Sequence, residues 1–247
     1  MLPGRVESLI GWSHLLKNEN LMKVLLLGAT GLTGGYVLNG LLARDEVETV
    51  VVPVRKPLKT VHAKLRQQEI DFDCLEEHAE LFQVDVIICC LGTTIKKAGS
   101  QEQFRKVDYG YGLKAAELGR EAGTRAFILM SAIGSSSSST IFYNRVKGEL
   151  ENAVKGLGFP YLSIYHPSLL LGDRLEHRLG EAMGVKAMPL INRALVGPLE
   201  KYRGIEAATV ASAMVNEVCT LTSEAAAEQV VQIREYRDIV ELAVQPA

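Results

Sequence analysis

Along this chain short apolar runs alternate with longer stretches in which apolar residues recur at helical spacing. Lys23–Leu27 is apolar almost throughout and stops at a glycine turn, as expected of a strand buried on both faces. A helix is predicted from about Leu32 to Ala43. Glu48–Val54 reads as a second strand, ended by Pro53 and the turn from Arg55 to Pro57. Gln68–Phe72 reads as a short third strand, and Val84–Leu91 as a fourth, again apolar. Gln101–Ala122 is predicted to be one helix stopped by Gly123. Arg125–Met130 is the fifth strand, Ile141–Leu157 a helix closed by Gly158–Pro160, and Tyr161–Tyr165 the sixth strand. Beyond these come a Gly-rich, Met-containing stretch from Gly172 to Gly197 and a helix near Ala207–Leu221. A strand at Gln229–Ile233 and a helix near Tyr236–Val244 end the pattern.

Strands alternating with helices at this spacing imply right-handed βαβ units. The expected fold is therefore α/β: a doubly wound, mostly parallel Rossmann sheet. No linker divides residues 22–247, which are read as a single domain, with about 167–205 forming a small substrate-side lobe. Residues 1–21 are read as an N-terminal extension. Their apolar patch, Leu9, Ile10 and Trp12, is bounded by Glu7 and His14, and no small-residue cleavage site follows, so a signal peptide is not expected.

Composition narrows the function classes. A chain of 247 residues suits one large domain. The formal net charge of −2 gives no electrostatic case for nucleic acid or an anionic membrane as partner. No apolar run approaches the roughly 20 residues that span a bilayer. The four cysteines, 74, 89, 90 and 219, lack metal-ligand spacing. They read as reduced thiols, the adjacent pair serving in packing, and a cytoplasmic protein without a metal is expected.

The chemistry begins at Gly28-Ala29-Thr30-Gly31-Leu32-Thr33-Gly34, a glycine turn directly after the first strand. The first glycine permits a tight turn. The second lets backbone approach a pyrophosphate, and the third lets helix and strand pack closely. The helix start then presents unpaired N–H groups and a positive dipole end to phosphates. At the end of the second strand, where an acidic residue would hold the ribose 2′-hydroxyl of NAD, the chain carries Arg55 and Lys56. Two cations suit a 2′-phosphate, so NADP(H) is expected ahead of NAD(H).

Tyr143 and Lys147 lie four apart on a predicted helix and share a face. Ser131 follows the fifth strand, at the sheet edge where ligands bind in doubly wound folds. Reduction of a carbonyl by hydride needs a proton donor, and a tyrosine beside a cation can serve. Ser131 would hydrogen-bond the substrate oxygen.

These runs together resemble those of an atypical short-chain dehydrogenase/reductase, in the Tat-interacting-protein-like branch of oxidoreductases. The resemblance rests on Gly28–Gly34, Cys89-Cys90-Leu91-Gly92-Thr93-Thr94, Phe142–Glu149 and His166–Arg174. It implies that Thr30, Leu32 and Thr33 contact the diphosphate, that Arg55 faces the 2′-phosphate, and that Asp71 and Phe72 flank adenine. It further implies that Leu91, Gly92 and Thr93 line the nicotinamide ribose, that Pro167 and Ser168 approach the nicotinamide, and that Ser131, Tyr143 and Lys147 form the catalytic set. Two positions depart from the pattern. Asp108 stands where many relatives carry an asparagine that positions the lysine through water. His166 stands where an arginine often precedes the proline, and is read as a structural strand-end residue, with a substrate contact as the alternative.

The leading expectation is an NADP(H)-dependent oxidoreductase acting on a small carbonyl or alcohol, with Tyr143 as proton donor. The alternative is a non-catalytic NADP(H)-binding regulator that binds a protein partner, and a homo-oligomer is compatible with either. A nucleotide-sugar epimerase fits less well, because the segment after Pro167 is short. The substrate lining is expected from Ile133–Thr140 and Leu170–Pro189, with Met183 and Met188 as packing residues.

Overall fold

A computed structural model describes residues 21–172, 195–221 and 229–245. The N-terminal extension, Met183 and Met188, and most of the predicted substrate-side lobe lie outside the described residues. Seven strands form one sheet: β1 (Met22–Leu27), β2 (Val47–Val54), β3 (Leu65–Glu69), β4 (Val86–Cys89), β5 (Ala126–Met130), β6 (Tyr161–Tyr165) and β9 (Val230–Arg234). Their order is β3-β2-β1-β4-β5-β6-β9, and every pairing is parallel. Two short strands, β7 (Leu170–Leu171) and β8 (Ile205–Glu206), pair separately. The first six strands have the doubly wound Rossmann order, which reverses beside β1 and opens a crevice between the carboxyl ends of β1 and β4.

Alternate residues of each strand feed two cores. Val24, Leu26, Ala126 and Ile128 face α1 (Leu32–Leu42), a helix at Ala207–Thr220 and the last helix, Tyr236–Val244. Leu25, Leu27, Phe127 and Leu129 face the helices at Gly112–Glu121 and Phe142–Gly156 and a 3-10 helix at Phe72–Phe82. Numbered in chain order, the remaining α-helices among the described residues are α2 (Ile95–Ala98), α3 (Gln101–Arg105), α4 (Gly112–Glu121), α5 (Phe142–Gly156), α6 (Ala207–Thr220) and α7 (Tyr236–Val244). Strands this thoroughly covered are apolar throughout rather than alternating, as their sequence showed.

The structure corrects three assignments. The third strand is Leu65–Glu69, not Gln68–Phe72. Leu65–Glu69 pairs residue by residue with Val50–Val54, whereas Asp71 caps the 3-10 helix that begins at Phe72. Ile70 and Phe72 are apolar because they are buried, Phe72 within the core beneath that helix. The fourth ladder is only Val86–Cys89, because flanking Val84 and Leu91 pack against the core without pairing. The single helix expected over Gln101–Ala122 is three pieces: α3, a π-helical turn at Lys106–Tyr111, and α4. A π turn accommodates an extra residue and swings the side chains after it to a new face. Here it carries the buried Asp108.

Helix α6 is tied to the sheet by a carboxylate. Glu217, 1% exposed, accepts hydrogen bonds from Tyr161 (2.8 Å), Ser163 (3.0 Å) and Tyr165 (2.8 Å), and pairs with Arg234 at 2.6 Å. Burial, with Glu217 beside them, pushes both phenols up. The four cysteines are free thiols, and burial pushes Cys89 up to about 11, consistent with packing rather than reactivity.

Candidate active site

All strands run in one direction, so β1, β2, β3, β4, β5 and β6 deliver the residues after them to the same edge. At the end of β1, Gly28 adopts φ +84°, and a Cβ there would stand 2.6 Å from the Cys90 carbonyl oxygen. Neither the conformation nor the approach to the chain after β4 admits a side chain. Gly34, in the first turn of α1, comes so near Gly28 that a Cβ would lie 2.1 Å from the Gly28 carbonyl oxygen. The start of α1 is thereby pinned against the end of β1.

That helix start lacks internal partners. Gly31 caps it without a side chain, leaving the N–H groups of the first turn open. Thr33 is buried, and its Oγ1 has no hydrogen-bond partner. An anion with several acceptor oxygens satisfies such a set, and the diphosphate of a dinucleotide is one. Thr30 and Gly31 are exposed and Leu32 half-buried beside them. The residues fit the nucleotide their pattern implied.

The other predicted contacts sit along the same edge. Arg55 and Lys56 follow β2, are exposed, and make no hydrogen bond or ion pair among the described residues. Asp71 follows β3, but its Oδ1 accepts from the Asp73 backbone at 2.9 Å. Phe72 lies against Tyr111, ring centroids 5.5 Å apart. Pro167 is buried beyond β6, and its carbonyl accepts from Ile133 N at 3.0 Å. The Ser168 hydroxyl donates to the Arg203 carbonyl, which leaves its proton committed to the protein.

The Tyr–Lys pair lies on α5. Tyr143 is half-buried with its ring 5.5 Å from that of Phe104. One turn on, Lys147 is buried, and its Nζ lies 2.9 Å from Asp108 Oδ1. The other Asp108 oxygen accepts from Thr93 N at 2.8 Å. A Cβ on Gly92 would stand 3.6 Å from Asp108 Oδ1 and 3.8 Å from Lys147 Nζ, so the loop after β4 covers the pair. Burial alone would lower Lys147, but the Asp108 carboxylate, with Tyr143 nearby, outweighs it and pushes the ammonium up to about 12. The departure from asparagine thus has a definite consequence: the lysine is held by direct contact with a carboxylate.

Ser131 is buried after β5. It donates to Glu151 Oε1 and lies 3.1 Å from Ser135 Oγ. The same Glu151 oxygen receives His166 Nε2 at 2.8 Å. Burial opposes ionisation of Glu151, yet the bonds from His166 and Ser131 hold its carboxyl below the usual range. His166 is thus a strand-end residue with a specific partner. The sequence reading had missed Glu151, although its signal was there: Tyr143, Lys147 and Glu151 repeat every four residues along one helix face.

The chain matches the NAD dependent epimerase/dehydratase family over residues 24–244. It is 39% identical over 184 residues to Protein HTATIP2 of Rattus norvegicus, covering 73% of this chain and 75% of that one. It is 34% identical over 180 residues to Protein FMP52, mitochondrial, of Meyerozyma guilliermondii, covering 70% and 76%. Its fold is similar to that of MoeE5 in complex with UDP-glucose and NAD, with TM-score 0.61 and 12% identity, covering 90% and 80%. Glycine turn, sheet order and sequence agree: the chain belongs to the NAD dependent epimerase/dehydratase family, within the Tat-interacting-protein-like branch its motifs resemble.

Proposed function

We propose that the protein is an NADP(H)-dependent oxidoreductase that interconverts a small carbonyl compound and its alcohol in the cytoplasm. The observation that carries this reading is Tyr143 one helical turn from a buried Lys147–Asp108 ion pair, under the loop after β4. A bound nicotinamide supplies or receives the hydride. Tyr143 gives its phenolic proton to the oxygen of the reduced carbon, and takes it back in the reverse direction. Lys147 stays an ammonium at neutral pH because Asp108 stabilises its charge, and it would hold the ribose hydroxyls of a bound nucleotide. Asp108 also fastens Thr93 of the loop after β4, so loop and lysine keep their spacing. The described residues contain no helix long and apolar enough to cross a membrane.

Tyr143→Phe tests the chemistry. It should lower kcat for any reduced carbonyl by about 10²- to 10⁴-fold, the usual worth of a positioned acid. NADPH affinity should stay within about twofold, because the lost hydroxyl acts on the reacting oxygen. A broad aldehyde, ketone and quinone panel with no NADPH oxidation would replace this reading with that of a nucleotide-dependent binding protein. Cofactor choice has its own test, in which Arg55→Ala is titrated with NADPH and NADH. Loss of a charge-assisted contact should weaken NADPH by about ten- to a hundredfold and leave NADH nearly unchanged. Equal losses would remove the assignment to the 2′-phosphate.

A further inference from the structure

Strands β2 and β3 are parallel neighbours, and residues 55–64, which join them, contain no helix. Parallel strands need a crossover, usually a helix, of about a dozen residues or more. A packed helix would fix the turns at both its ends, and this shorter connection lacks that support. Yet it begins with Arg55 and Lys56, the two exposed cations at the end of β2.

One side chain supplies the missing support. Gln67 lies on β3 opposite Val52. Its amide brackets the backbone of Leu58: the Leu58 N–H donates to Oε1 at 2.7 Å, and Nε2 donates to the Leu58 carbonyl at 3.3 Å. A primary amide offers both a donor and an acceptor, so it can serve Leu58 as a neighbouring peptide would in a ladder. Among the described residues, 55–61 make no other hydrogen bond. The Leu58 side chain packs against the same core as Leu65, which shares a face of β3 with Gln67.

Val54 is fixed in the sheet and Leu58 by the bracket, so Arg55-Lys56-Pro57 forms an arch tied at both ends. Pro57 stiffens the arch, because its ring sets its own φ and confines Lys56 to extended backbone. The two cations are thus offered in few arrangements. With the far end released, the arrangement that grips a phosphate has to be found at the moment of binding, at a cost in entropy.

We infer that Gln67 is a positioning residue for nucleotide discrimination, acting through Arg55 and Lys56 by holding Leu58. The inference rests on the reading of those cations as the contact for a 2′-phosphate.

Gln67→Met tests it, since it keeps the length of the side chain and removes both hydrogen bonds. Gln67 is exposed, so the variant should melt within about 2 °C of the wild-type protein. Fluorescence titration should show NADPH weakened about three- to tenfold, the range of a lost neutral hydrogen bond, with NADH unchanged. In a protein that already carries Arg55→Ala and Lys56→Ala, the same change should cost NADPH less than about twofold, because residues acting as a unit are not additive. Amide exchange in the wild-type protein gives a second measurement that needs no variant: the Leu58 N–H should be protected without nucleotide, and free exchange there overturns the inference. A full preference for NADPH in Gln67→Met overturns it and leaves the reading of Arg55 standing. Equal losses of NADPH and NADH overturn it as well, as does a full further loss on top of the two alanines. A wild-type protein that binds NADPH and NADH equally overturns the inference together with the 2′-phosphate reading.

Discussion

Glu217→Ala is expected to lower the thermal midpoint by roughly 10 °C. The carboxylate is buried and receives three hydroxyl donors and the Arg234 guanidinium. Replacing a buried ion pair whole with apolar groups is often harmless, but removing one partner leaves the other charged and desolvated, at a cost of about 3–5 kcal/mol. For a domain of this size each kcal/mol moves the midpoint by about 2–4 °C. Tyr161, Ser163 and Tyr165 also lose the acceptor their hydroxyls were folded around. The loss joins three elements at once, since Tyr161, Ser163 and Tyr165 belong to β6, Arg234 to β9 and Glu217 to α6. Differential scanning fluorimetry would measure it. A change below about 2 °C would mean that the network contributes little beyond packing.

Gly34→Ala should abolish nucleotide binding at concentrations that saturate the wild-type protein, with at least a tenfold loss of affinity. The added methyl would sit 2.1 Å from the Gly28 carbonyl oxygen, and both sides of that contact are backbone. No rotamer relieves it, so the start of α1 must move away from the end of β1. Overpacking of this kind costs about 1–3 kcal/mol in stability. The displacement also misdirects the open N–H groups and the Thr33 hydroxyl that suit a diphosphate. Fluorescence titration with NADPH measures the loss, and a melting curve separates it from unfolding. Wild-type affinity in a folded Gly34→Ala protein would remove the turn from the binding site.

The central strands were legible because parallel strands covered on both faces leave continuous apolar runs, as at Val24–Leu27 and Val86–Cys89. The glycine turn was legible because its geometry admits so few residue types. The edge strand Leu65–Glu69 was obscured because it is mostly polar and exposed, while nearby Ile70 and Phe72 imitate a strand and belong to the layer beneath a 3-10 helix. The π turn at Lys106–Tyr111 leaves no mark in a helical period read over twenty residues, since it shifts the phase by a single position. The site itself divides in the same way. Tyr143 and Lys147 follow from spacing along one helix. The partners Asp108 and Glu151 are acids whose burial depends on which loops close over them, and that is a property of the whole fold.

The exposed turn after β2 carries one last implication. An added Cβ at Gly28 or Gly34 would run into backbone, whereas Arg55 and Lys56 touch none of the described residues by hydrogen bond or ion pair. Substitutions at such positions usually alter stability by no more than about 0.5 kcal/mol. Under the proposed NADP(H) reading, grip on the phosphates and discrimination between nucleotides would therefore be separable, the first resting on packed backbone and the second on two exposed side chains. On that reading, exchanging the two cations should retune cofactor choice while leaving the melting temperature nearly unchanged.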